Sequence, residues 1–424
     1  QEEGVPWMGT QSDQSPLAPE IVVSTQLYDW DAILTDIIKK HQAGEMGGTA
    51  YSLTLANGGL KMLYNDNLPA EAVAAAQAAE ATAAGGVMME DEAMAEDEAA
   101  AEDEAMAEDE AMEEEAMSVD IEPVRVAVIM PSSTTDLAWS QSMYSSLERV
   151  QEAAGGPDVF ELAFSEGMFN VTDAAAAIRD YAADGYDIVI VHGTQFGTSL
   201  AEIAPDFPDT TFAHGIATDP TLDAGLENVF VYDAHSVEGG YVNGVLAGAL
   251  TQSGVIGFVG PVEAGDVTGY ITGFQAGVAD ANPDAVVNIS YTGSFGDTAL
   301  AAEAANVHIE AGADVLSGSA QQVVGAIGVA KEKGVLWIGT QSDQSPLDPA
   351  TAIAAQVYDW DQVLIDIITK HQAGQLGGDA YLLTLENGGL SMTFSDSLPA
   401  EAVAAAEAAV EAVKAGDVPV VTEN

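Results

Sequence analysis

The sequence predicts an α/β protein of two doubly wound, Rossmann-like lobes, joined by a hinge and separated by a cleft. Three observations predict it. From Pro123 onward, short β-branched apolar runs alternate with helical segments, the pattern of a parallel sheet covered by helices on both faces. The runs are β-branched and largely apolar, as in VRVAVIM (124–130), DIVIVHG (187–193) and VIGFVG (255–260), so their strands are expected to be buried on both sides. The alternation breaks once, near Asp233–Val237, where NVFVYD gives way to the long helical stretch VEGGYVNGVLAGAL.

The elements follow in order. VRVAVIM is a strand, and SQSMYSSLERVQEAAG has helical spacing and a glycine stop. FELAF, a helix through DAAAAIRDYAADG, DIVIVHG, a helix before the PDFPD turn, TFAHGI and NVFVYD complete the first lobe. After Ser236 come the long helix, VIGFVG, a helix over GYITGFQAGVADANP, VVNISYTG, TALAAEAANVHIEAG, DVLSGS, QQVVGAIGVAKEKG and VLWIGT. Lobe 1 is expected over 123–234 plus the C-terminal segment, and lobe 2 over 235–345.

An internal repeat sets the larger layout. GVPWMGTQSDQSPL from Gly4 returns as GVLWIGTQSDQSPL from Gly334. The match continues without a gap through YDWD (Tyr28, Tyr358), KHQAG (Lys40, Lys370), NGGL (Asn57, Asn387) and LPAEAVAAA (Leu68, Leu398). Residues 1–86 are therefore a partial duplicate of the C-terminal part of the main domain. They carry Asp13 and the last-strand loop but none of the earlier strands, so this copy forms no cleft unaided. The chain is expected to be cut from a longer polypeptide with tandem binding domains; alternatively, residues 1–86 are a folded stub, or they compete with residues 334–409 for the same place in the domain. Residues 87–122 read as an acidic low-complexity linker. Its six-residue period (EDEAMA, EDEAAA) matches no helical seam, and dense like charge favours an extended or fluctuating spacer.

Composition excludes several functions. There are 68 acidic and 10 basic residues, a net charge of −58, and no Lys or Arg between Arg179 and Lys331. Nucleic acid and anionic membranes need a basic footprint and are poor partners. Anionic ligands are disfavoured for the same reason. The absence of cysteine removes disulfides, thiolate metal sites and thiol nucleophiles. No apolar run approaches the length of a membrane span.

In open parallel sheets, ligands bind beyond the carboxyl ends of the strands. Five such ends are rich in small and polar residues: PSSTTDLAWSQ, HGTQFG, GPVEAGD, SGSAQQ and GTQSDQ. They supply the candidate ligand-binding residues Asp136, Trp139, Ser140, Gln195, Phe196, Gly265, Asp266, Ser319, Gln321, Gln341 and Asp343. Carboxylates such as Asp136 and Asp343 can accept from sugar hydroxyls, Trp139 and Phe196 can stack on a planar base, and Gln195, Gln321 and Gln341 can read a base edge. Each has a plainer alternative: Trp139 or Phe196 as core, and Asp343 as a turn or cap residue.

These loops resemble the basic membrane protein family of nucleoside-binding lipoproteins. TDLAWSQSMYSSL is similar to that family's first-strand loop. SYTGSFGDTALAAEAANVHIEAGADVL, EGGYVNGVLAGAL, VIGFVG with GFQAGV, KEKGV and GTQSDQ are similar to other stretches of it. The likeness runs from about Pro123 to Val421. It implies a type I periplasmic-binding-protein fold and an extracytoplasmic, membrane-tethered component of an ABC importer. That component would bind a nucleoside, with a purine favoured, and hand it as a monomer to permease and ATPase subunits. By resemblance, Asp136 is the early Asp, Trp139 matches the base-stacking Phe, and Asp343 matches the ribose-binding Asp. Ser140 stands where an Asn usually follows, and QVYDWD (356–361) lacks the Lys of many members.

No enzyme is expected. The chain has no nucleophile elbow, HExxH or phosphate loop, and none of its six histidines pairs at ligand spacing. No cofactor and no metal are expected. Two alternatives stay open from sequence: a binding protein that serves a chemoreceptor or kinase, and a binder of another small neutral solute.

Overall fold

The computed structural model describes residues 118–215, 225–263 and 265–422, and from the first part of the chain residues 7–11, 22–28, 30, 33, 39–40, 54, 60–64, 68, 73 and 76. The chain divides into two compact units, residues 1–110 and 111–424. Residues 87–117 of the acidic stretch lie outside the described residues, as does Asp13.

In the first unit, β1 (Trp7–Gln11) pairs in parallel with β2 (Val22–Tyr28), and β2 pairs antiparallel with β3 (Leu60–Tyr64).

The second unit has two lobes. Its chain begins before the expected linker ends: the Val119 amide donates to the Ala153 carbonyl at 2.9 Å, and Glu122 exchanges hydrogen bonds with Gln372. Lobe 1 is built from β4 (Val124–Ile129), α1 (Trp139–Ala153), β5 (Phe160–Ser165), α2 (Val171–Ala183), β6 (Ile188–Val191), α3 (Gly197–Ile203), β7 (Thr211–Gly215) and β8 (Val229–Ala234). The chain then enters lobe 2 through α4 (Val237–Leu250), β9 (Val255–Gly260), α5 (Asp266–Ala281), β10 (Val286–Tyr291), α6 (Thr298–Glu310), β11 (Val315–Gly318), α7 (Val323–Lys333), β12 (Leu336–Gln341) and β13 (Ala352–Tyr358). It returns to lobe 1 with α8 (Asp361–Gln372) and β14 (Ala380–Leu383). It ends in lobe 2 with β15 (Leu390–Phe394), α9 (Ala400–Lys414) and the short α10 (Pro419–Thr422).

The lobe 1 sheet has the order β14-β8-β7-β6-β4-β5 and is parallel throughout. The lobe 2 sheet has the order β10-β9-β11-β12-β13-β15, with β15 antiparallel. Strands β6 and β7 are buried at every residue, as continuous apolar runs require. Sheet membership redraws one boundary read from sequence. The C-terminal segment does not belong to lobe 1 as a whole: only α8 and β14 do, while β13, β15 and α9 extend lobe 2.

Three crossings link the lobes, near Ala234–Ser236, Tyr358–Asp361 and Leu383–Leu390, and they are tied to one another. The His235 amide donates to the Leu383 carbonyl and the Asp359 amide to the Gly389 carbonyl, both at 2.9 Å. Helices α4 and α5 pack backbone to backbone, because a Cβ at Gly244 or Gly273 would collide with a carbonyl of the facing helix. One helix of this pair, α4, starts at the first crossing, and the other, α5, starts with the cleft residue Asp266.

Candidate functional site

A cavity lies between the carboxyl ends of the two sheets, where open parallel sheets bind their ligands. The ends of β4, β6, β7 and β8 contribute Pro131, Trp139, Gly193, Thr194, Gln195, Gly215 and Asp233, and the loop after β5 adds Phe169. From lobe 2, the ends of β9, β10, β11 and β12 contribute Gly265, Asp266, Val267, Phe295, Ala320, Gln321 and Gln341. All five strand ends marked in the sequence therefore reach the cavity. Three non-glycine residues have positive φ among the described residues: Leu137 (53°), Ala320 (72°) and Gln341 (76°). All three sit at these strand ends, where strain of about 1–3 kcal/mol each is tolerated only if the surroundings enforce it.

On the lobe 1 wall, Trp139 is pinned from behind. Its ring stacks on His192 with centroids 4.1 Å apart and planes 10° from parallel, and its indole N–H donates to the His192 carbonyl at 3.2 Å. In return His192 Nε2 donates to the Trp139 carbonyl at 2.9 Å, which leaves Nδ1 to accept from the Tyr232 hydroxyl at 2.8 Å. Complete burial drives the His192 pKa down to about 3, so the imidazole is neutral and its tautomer is fixed by its partners. Trp360, fully buried at the second crossing, meets Trp139, His192 and Tyr232 edge-on. At the mouth, Phe169 reaches across to Gly296 of lobe 2, where a Cβ would come within 2.8 Å of its ring.

The lobe 2 wall is acidic and rich in acceptors. Asp266 opens α5 and is half-buried. Its Oδ2 accepts from Gln341 Nε2 at 2.9 Å and from the Tyr358 hydroxyl at 3.1 Å. Burial raises its carboxyl above the usual range. Asp233, at the end of β8, is raised to about 8, by burial first and by the Asp266 charge second. Gln321 Oε1 and Gln341 Oε1 are buried without a hydrogen-bond partner among the described residues. Buried acceptors in that state favour a ligand that brings donors.

The cavity gathers Trp139, Gln195, Gly265, Asp266, Gln321 and Gln341 of the residues read from sequence. It does not gather the other five. Asp136 accepts from the amides of Ala138, Ser140 and Gln141 at 2.9–3.2 Å, so its carboxylate satisfies the first turn of α1 instead of facing a ligand. Ser140 is fully buried, and its hydroxyl accepts from the Ser132 amide. Phe196 is core, directly under Gly193. Ser319 is buried and outside the lining, although its neighbours Ala320 and Gln321 belong to it. Asp343 is exposed, and its two oxygens are taken by the Ser345 amide and hydroxyl at 2.9 and 2.8 Å. It lines a separate groove with Ser345, Pro349 and Ser395. The left-handed turn at Gln341 explains this: it directs Gln341 and Ser342 inward, where the Ser342 hydroxyl donates to the Ala138 carbonyl of lobe 1 at 2.8 Å, and leaves Asp343 outside. Sequence reading missed Asp233, Phe169, Phe295 and the supporting Tyr358. Asp233 closes an apolar strand run, and the two phenylalanines sit in glycine-containing loops without a chemical motif.

Comparison with known proteins agrees with this geometry. Residues 123–420 match the family model described as ABC transporter substrate-binding protein PnrA-like (Bmp). The chain is 28% identical over 245 residues to a purine-binding protein of Brucella abortus, covering 58% of this chain and 68% of that protein. It is 26% identical over 269 residues to a putative ABC transporter glucose-binding protein of Haloferax volcanii, covering 63% and 66%. It thus spans about two thirds of the length of these curated relatives. A solved ABC transporter solute-binding protein from Conexibacter woesei superposes with a TM-score of 0.58 at 27% identity, over 70% of this chain and 97% of that one. Another from Aeropyrum pernix gives 0.61 at 19% identity, over 70% and 92%. The fold is the two-lobed type I arrangement of periplasmic solute-binding proteins.

Proposed function

Because the chain belongs to the PnrA-like (Bmp) family of ABC transporter substrate-binding proteins, which are binders and not enzymes, we propose that it captures a nucleoside in the cleft and delivers it to a permease. The observation that carries this reading is the pairing of walls in one cavity. Aromatic side chains, Trp139, Phe169 and Phe295, line it together with the acceptors Asp266, Gln321 and Gln341. A planar base needs the first set, and ribose hydroxyls and exocyclic amines need the second.

Delivery places the protein outside the cytoplasm, working as a monomer with permease and ATPase subunits. No helix among the described residues is long and apolar enough to cross a membrane. Calorimetric titration with adenosine, guanosine, inosine, uridine and cytidine, beside glucose and arabinose, tests the ligand class. A purine nucleoside binding most tightly, without release of free base, is the expected result. Binding of a sugar alone overturns the nucleoside reading and leaves the family intact.

A further inference from the structure

We infer that the cleft carries one exchangeable proton, held by Asp233, and that this proton makes Asp233 the donor which selects an acceptor atom on the ligand. The inference deepens the proposed function, and it rests on that reading only for the choice of probe. Two carboxyls line one cavity, and no Lys, Arg or His lines it with them among the described residues. Like charges in a desolvated site cannot both be held, so one of the pair keeps its proton.

Hydrogen bonding decides which. Asp266 accepts from two side-chain donors, Gln341 Nε2 and the Tyr358 hydroxyl, and sits in the first turn of the 16-residue α5, where the helix dipole favours negative charge. Among the described residues, Asp233 accepts from the amide of the next residue, Ala234, at 2.8 Å and from no side chain. The titratable groups around it are engaged elsewhere: His192 is neutral, the Tyr232 hydroxyl is given to His192, the Tyr358 hydroxyl is given to Asp266, and His214 on the neighbouring β7 donates Nε2–H to the Gly193 carbonyl. At the hinge, His235 is bonded to Glu238, which also accepts from the Leu385 amide. Burial and the Asp266 charge then hold the Asp233 carboxyl up at about 8.

Two buried amide oxygens point independently to a ligand here. Gln321 and Gln341 are 8% and 2% exposed, line the same cavity and have unpartnered Oε1 atoms. A donor-rich ligand that satisfies them also brings hydroxyl oxygens or ring nitrogens. A wall of acceptors alone would repel those atoms. A neutral Asp233 gives them a hydrogen.

The test has a ligand-free arm and a ligand arm. In the ligand-free protein, ¹³C resonances of the Asp side-chain carboxyls are followed from acid to alkaline pH. One carboxyl should titrate with a midpoint near 8, should vanish in Asp233→Asn, and should fall by about one pH unit in Asp266→Asn, which removes the opposing charge. If every Asp carboxyl titrates in the ordinary acidic range, the inference is overturned. In the second arm, adenosine affinity is measured against pH. Because the protonated form binds, affinity is full below the Asp233 midpoint and falls as pH rises through it, to roughly tenfold weaker at pH 9. Asp233→Asn should weaken binding about fivefold at neutral pH, an amide being the poorer donor, and should flatten the profile. A flat wild-type profile, or a decline that survives in Asp233→Asn, overturns the inference. If adenosine fails to bind at any pH, the nucleoside reading falls, while the carboxyl titration still decides the proton.

Discussion

The sheet β1–β2–β3 and the β12–β13–β15 part of lobe 2 are nearly one sequence folded twice. The pairing is reproduced residue for residue. Trp7 opposite Val22, with an irregular step before Met8 opposite Ser24, repeats Trp337 opposite Ala352 and Ile338 opposite Ala354. The antiparallel pair Ser24–Tyr64 repeats Ala354–Phe394. The surroundings are not reproduced. Trp30 is 50% exposed and Tyr28 37%, while their twins Trp360 and Tyr358 are 0% and 2% exposed. Strand pairing and its irregularity are local properties that the repeated stretch carries with it. Burial is lent by other elements, here α1, β8 and α5, which residues 1–86 do not duplicate.

Substitutions at twin positions put this comparison at risk. The largest effect is expected at Trp360, which packs on Trp139, His192 and Tyr232 and donates to the Ser142 hydroxyl. Trp360→Ala should cost about 3–5 kcal/mol in urea denaturation of the main domain, and Trp30→Ala less than about 0.5 kcal/mol. Equal losses would mean that the N-terminal copy is as deeply packed as its twin. Next is Trp139, which has no twin in residues 1–86. Trp139→Ala should weaken nucleoside binding by about 1–3 kcal/mol, the scale of base–aromatic stacking. A lowered melting temperature with unchanged affinity would make it core only.

Gln341 and Gln11 form the next pair. Gln341 holds Asp266 and lines the cavity, so Gln341→Ala should weaken binding by about 1–2 kcal/mol, and Gln11→Ala should leave calorimetric affinity unaltered. Loss at Gln11 instead would show the N-terminal copy serving the site. The smallest effect is expected at Asp343. Its carboxylate is spent on Ser345 in an exposed turn, so Asp343→Asn should change affinity less than about twofold, within the range of ordinary surface substitutions. Asp13→Asn should do the same. A large drop at Asp343 would return it to the site that the sequence first assigned it.

Some of the site could be read in the sequence, for reasons particular residues make plain. Gln341 ends an apolar strand run, and Gln321 and Asp266 lie in or just after the loops that follow two others, positions that a doubly wound sheet sends into the cleft. Trp139 follows a polar loop at the same kind of strand end. Asp136 and Asp343 follow strands too, yet both carboxylates close local turns, a use equally open to any Asp beside a helix start or in a loop. Asp233 was hidden because it ends an apolar run like any solvent-capped strand. Only the cleft, by lining one cavity with Asp233 and the lobe 2 Asp266, makes it a desolvated acid beside a second one.

The sequence by itself determined the strand and helix order, the parallel sheets, the two lobes and the repeat, because apolar period and β-branched content act over a few residues at a time. The tertiary structure alone decided which lobe owns each C-terminal strand, which carboxylates face the cavity, and which of two like acids keeps its proton. Those outcomes depend on side-chain direction, desolvation and charges brought close by distant parts of the chain, and no local pattern encodes them.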